Sequence, residues 1–170
     1  MTPRKVFYHM SSNFFEVGKI LTAIDKNIDY LGEKIGSTLE ANRPAHCFSR
    51  MKTVFLSESE DFTGHGITEP GYAYRVKPLG KIQAYHNHWI GVLQKRHPIS
   101  NNQKNSSIEN YTDLTDDQIA KKYWDEIKGS EGNWEFLVEN LEILECLTPH
   151  PVTSGYNSIM HKTLREVRNR

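Results

Sequence analysis

The chain has 170 residues, 37% hydrophobic and 25% charged, with 21 basic and 21 acidic side chains that cancel to zero net charge. That length and mix predict one globular domain over residues 1–170 with a core of its own, and exclude the apolar-poor composition of a disordered chain. Zero net charge gives no support for nucleic acid as a partner, and no run approaches the roughly eighteen apolar residues of a membrane span.

Residues 5–10, KVFYHM, are aromatic and β-branched and predict a first strand, broken by Ser11, Ser12 and Asn13. A short apolar stretch, 14–20, follows with Gly18 as a turn. Ile24, Ile28, Leu31 and Ile35 recur at spacings of four and three, which predicts an amphipathic helix over 24–36 stopped by Gly36. A second helix is expected from Thr38 to Arg43, ended by Pro44. Residues 52–57, KTVFLS, read as a strand, and the Gly-rich, acidic text after them as irregular. Residues 72–77 alternate in the manner of a half-buried strand, ended by Pro78 and Gly80, with a short strand following from Lys81 to Tyr85.

Residues 97–113 are polar and aperiodic, which predicts a long surface loop. Thr115 is a good N-cap with Gln118 three residues on, so a capping box should open a helix over 115–128, with Ile119, Tyr123 and Ile127 on one face. Two apolar runs, 134–138 and 141–144, predict strands separated by a turn or kink at Glu139 and Asn140. A last helix is expected over 158–169. Strands alternate irregularly with helices, so the expected class is α+β and not a doubly wound sheet.

Cys47 and Cys146 lack CxxC spacing, which implies neither a zinc site nor a disulfide framework and suits a reducing cytoplasm. The opening residues lack the long apolar stretch of a signal peptide. His86 and His88 would share a face on a strand, where imidazoles suit zinc. Only His97 suggests itself as a third ligand, so no metal is expected.

Three separated segments bear on chemistry: Phe7-Tyr8-His9 at the end of the first strand, Val54-Phe55-Leu56-Ser57 on a middle strand, and Trp134-Glu135-Phe136-Leu137-Val138 on a late one. Taken singly, His9 reads first as a satisfied core histidine, Glu135 as readily as an outward-facing edge residue, and Phe55, Tyr72 and Tyr74 more often as core than as a ligand platform. In this order, with the strand Tyr72 to Gly80 resembling a Y-x-V-x-P-x-G pattern, the segments resemble the ADP-ribosyltransferase superfamily. The small rifampicin-modifying members are similar in size, and phage or bacterial toxin members belong to the same group.

The resemblance implies a split antiparallel β-sheet with peripheral helices, and transfer of ADP-ribose from NAD to a protein, nucleic acid or small-molecule acceptor. It gives Glu135 and His9 the catalytic roles. Glu135 would stabilise the oxocarbenium-like transition state as nicotinamide leaves, and His9 would hydrogen-bond a ribose. NAD would be held by His9, Met10, Ser11, Phe55, Ser57, Tyr72 and Tyr74, with an aromatic face stacking on the nicotinamide. Met10 and Phe55 depart from the residues usual in the family, and Asn133 from the E-x-E arrangement of arginine-modifying members. The alternative is therefore a catalytically inactive nucleotide- or partner-binding module on the same fold. A further alternative is a transferase of the RNA 2′-phosphate type, with Arg43, Arg50 and Arg75 as phosphate-gripping candidates.

Overall fold

The computed structural model describes residues 5–24, 31–59 and 70–148. The expected helix over 158–169 and most of the acidic, Gly-rich stretch lie outside the described residues. The architecture is α+β with antiparallel pairing, and it divides into two compact units. Among the described residues, 5–23, 54–59, 70–82 and 138–148 form the first, and 24, 31–53 and 83–137 the second.

The first unit is a four-stranded antiparallel sheet with the order β1-β4-β7-β2. Its strands are β1 (Phe7–Ser11), β2 (Ile20–Thr22), β4 (Tyr72–Leu79) and β7 (Asn140–Cys146), and β3 (Val54–Leu56) lies beside β1. Ser57, just past β3, exchanges both backbone hydrogen bonds with Tyr8, at 2.8 and 2.9 Å. Phe7, His9 and Ser11 stand opposite Val76, Tyr74 and Tyr72. Directly opposed residues share a face, so these six side chains form one row across two strands. The row is buried at Phe7, Val76 and Tyr74 and opens at His9, Ser11 and Tyr72.

Pro78, expected to end β4, instead lies within it opposite Leu141. The pairing with β1 stops at Val76, so beyond that point β4 runs beside β7 alone and tolerates a residue without an N–H. Between Arg75 and Val76 the register with β7 shifts by one residue, Leu144 being the extra one. Gly71, at the entrance to β4, is held to glycine by space. A Cβ there would stand 2.8 Å from the Ser11 carbonyl oxygen.

The second unit holds α1 (Glu33–Ala41), α2 (His88–Arg96), α3 (Asn101–Lys104), α4 (Asp116–Trp124), and the antiparallel pair β5 (Gln83–His86) and β6 (Trp134–Val138). The expected stop at Gly36 is corrected: Gly36 is buried inside α1, and the chain turns instead at Gly32, whose φ of 89° favours glycine. The two helices expected over 24–36 and 38–43 are, among the described residues, one helix ending at Ala41. β6 pairs with β5, whereas β7 pairs with β4 and β2, so Glu139 is a bend and not a hairpin turn.

The long surface loop expected over 97–113 is largely exposed but not structureless. It contains α3 and is fastened by the cations of the last turn of α2. Arg96 donates to the carbonyls of Asn110 (2.8 Å), Tyr111 and Leu114 (2.9 Å) and to Asp116, while Lys95 donates to the Ile108 carbonyl at 2.6 Å. A guanidinium carries five donors in a fixed fork, and here one side chain satisfies three carbonyls that no helix or strand serves. Burial pushes the Asp116 carboxyl up, but the hydrogen bonds from His97 and Arg96 outweigh it and hold the group below the usual carboxylate range.

The capping box forms as expected: the Thr115 hydroxyl accepts from Gln118 N at 3.2 Å and the Gln118 side chain accepts from Thr115 N at 2.8 Å. Ile119 and Tyr123 are buried on the inner face of α4, whereas Ile127 lies past its end and is exposed. Replacing Thr115 by Ala should lower the stability by about 1 kcal/mol in urea unfolding, with Thr115→Asp close to wild type.

Candidate functional site

At the open end of the β1–β4 row, His9 Nδ1 lies 3.0 Å from the Phe55 carbonyl oxygen. A carbonyl only accepts, so Nδ1 carries the hydrogen, and in the neutral ring Nε2 is an acceptor of the kind that suits a hydroxyl. The Ser11 hydroxyl accepts from Asn13 N at 3.2 Å, turning the chain as it leaves β1. The Tyr74 hydroxyl then fastens that turn: it donates to the Asn13 carbonyl at 3.0 Å and accepts from Phe15 N at 2.8 Å. Burial pushes the Tyr74 phenol up from its ordinary value, more than the Phe15 hydrogen bond lowers it, so the hydroxyl keeps the proton it donates.

His9, Ser11, Tyr72 and Tyr74 are thus brought together on one face, with Phe55 contributing its carbonyl. Met10 alternates onto the opposite face of β1, against Gly71. Ser57 is buried, and its hydroxyl accepts from Ser59 N at 2.8 Å, holding the turn after β3.

Glu135 belongs to the second unit and is 4% exposed. Its Oε1 is ion-paired with Arg50 and accepts the Tyr123 hydroxyl at 2.5 Å, and Arg50, 1% exposed, also donates to Tyr123 Oη at 2.6 Å. The three groups close a triangle. The Tyr123 ring stacks on Tyr85 with centroids 4.8 Å apart. Burial pushes the Tyr123 phenol well above its ordinary value, Arg50 opposing and Glu135 reinforcing the shift, so it remains a donor to the carboxylate. Sequence reasoning set Arg50 aside as one of three phosphate candidates. Each of the three instead meets a carboxylate: Arg43 with Glu40 (2.9 Å), Arg75 with Glu145 (2.9 Å) and Arg50 with Glu135. Arg50 lies 85 positions from Glu135, beyond the reach of any local pattern.

His86 and His88 do not share a strand face: His86 closes β5 and His88 opens α2. Each Nδ1 accepts a backbone N–H, His86 from Gly129 and His88 from Glu131, both at 3.3 Å. Among the described residues no group of three or more His, Cys, Asp or Glu side chains is placed to hold a metal, and no helix is long and apolar enough to cross a membrane.

Breaking the triangle should be costly, because removal of one partner leaves a buried charge unmet. Arg50→Met should lower the unfolding free energy by about 3–5 kcal/mol, and adding Glu135→Leu should recover a large part of it, read from urea midpoints. The two histidines set a pH dependence. Burial lowers the pKa of both below the usual histidine value, with His88 and Lys128 adding to the effect at His86 and with Glu131 and Glu109 opposing it at His88. A lowered folded pKa means that the stabilisation is whole above about pH 6.5 and is lost as the pH falls toward the folded values. The melting temperature should therefore fall below about pH 6.5, and the fall should shrink in His86→Asn/His88→Asn, which keeps an acceptor near each Nδ1 and removes the charge. No protein-family model and no curated protein matches the chain.

Proposed function

We propose that this chain is a nucleotide-binding module of the ADP-ribosyltransferase-like kind, with NAD as its ligand and without transfer chemistry at Glu135. The observation that carries the reading is the state of that carboxylate. It is buried, bound to a guanidinium and bound to a phenol, so using it on a ribose would first require a buried ion pair to be opened. The binding half of the reading is supported by the open end of the row, His9, Ser11 and Tyr72. An imidazole whose Nδ1 hydrogen is fixed on a carbonyl, a hydroxyl and an aromatic ring on one sheet face are the groups that hold a ribose and a planar base. The split-sheet fold itself rests on the resemblance of the segments around His9, Phe55 and Glu135.

The transferase reading, with Glu135 and His9 catalytic and an unidentified acceptor, is the second one, favoured by the order of those segments. Nicotinamide release separates the two. The purified chain should bind NAD in calorimetry, lose about tenfold or more in affinity on His9→Ala, and release no nicotinamide even with cell lysate as acceptor. Absence of NAD binding would overturn the module. Release that disappears in a folded Glu135→Gln variant would establish transfer in its place.

A further inference from the structure

Phe14 is 60% exposed, although its neighbours on both sides are fixed. The Tyr74 hydroxyl takes the Asn13 carbonyl on one side and the Phe15 N–H on the other, so the Phe14 backbone is clamped between two hydrogen bonds. The Phe15 ring turns inward against Tyr74, with centroids 5.8 Å apart. The Phe14 ring meets the edge of Tyr72, 5.5 Å between centroids at 75°. Tyr72 is itself half-exposed and stands opposite Ser11 on the face that carries His9.

A single exposed aromatic needs no explanation on its own. Here the exposure is imposed: the backbone is held by a buried phenol, and the ring forms a corner with a second ring beside polar groups. Two rings at a steep angle offer one face for stacking and one edge for lateral contact, which suits a planar heterocycle and not an aliphatic chain.

We infer that Phe14 and Tyr72 form the ring-binding corner of the ligand site, with Phe14 stacking on the planar heterocycle of a nucleotide whose ribose lies toward Ser11 and His9. This rests on the nucleotide-binding reading above and adds a residue that neither sequence pattern nor resemblance singled out.

The test compares wild type, Phe14→Ala and Phe14→Trp by calorimetry, with NAD, ADP-ribose and ribose 5-phosphate as probes. Because Phe14 is exposed, all three proteins should give the same far-ultraviolet circular dichroism. Phe14→Ala should weaken NAD by about 10- to 100-fold, and Phe14→Trp should retain the affinity and show indole quenching. Ribose 5-phosphate, which has no ring to stack, should bind the three proteins alike. A loss with NAD that vanishes with ADP-ribose identifies the ring as nicotinamide; a loss with both identifies adenine; either outcome supports the corner. Equal NAD affinity of Phe14→Ala and a binding-competent wild type overturns the corner and leaves the module standing. A wild type that binds none of the probes overturns both.

Discussion

A guanidinium taken out of water must be answered at close range, and in the second unit that requirement falls on Arg50. Its charge is met by Glu135, and the same Nη1 also donates to the Tyr123 hydroxyl. Because both partners are long-range in sequence, the triangle exists only when the turn before β3, α4 and β6 have all formed. Leaving any corner unmet strands a charge or a phenol in low dielectric, which is far more costly than losing a surface ion pair. The Tyr85–Tyr123 stack and the Trp124 indole, which donates to the Leu39 carbonyl at 2.7 Å, extend the same constraint to β5 and α1.

The first unit is governed by register. A slip of one residue between β1 and β4 would carry His9 and Ser11 to the other face, away from Tyr72 and Tyr74. Gly71 guards against this at one end, where only a residue without Cβ fits beside the Ser11 carbonyl. Tyr74 guards the turn that follows, and one hydroxyl there serves both as donor and as acceptor. Positioning of the candidate ligand face therefore comes from packing inside the sheet and not from the loop residues themselves.

These two constraints bear differently on function. The register row assembles groups of the type that recognise a nucleotide, and it leaves His9, Ser11 and Tyr72 half-buried. The triangle does the opposite to Glu135: it occupies the carboxylate that the resemblance assigned to chemistry. A residue type in a family-like position keeps its chemistry only if its neighbours leave it available, and Arg50 and Tyr123 are the neighbours that decide this.

Local signals were sufficient where the physics is local. The alternation of residues 72–77, the aromatic run before His9, the Thr115–Gln118 capping box and the α+β class all follow from period, propensity and capping within a few positions. The same signals misplaced the helix stop at Gly36 and the end of β4 at Pro78, and gave no sign of how the surface loop over 97–113 is fastened. There the outcome depended on a turn at Gly32, on where β1 stops pairing, and on Arg96 reaching carbonyls 14 to 18 positions away. The sequence by itself determined which residues prefer strand or helix and which side chains carry chemistry worth testing. Only the tertiary structure decided that Glu135 is answered by Arg50, that Phe14 is held outward, and that His86 and His88 accept backbone N–H groups. Each of these depends on a partner distant in the chain, and hydrogen bonding and desolvation act over a few ångströms of space whatever the separation in sequence.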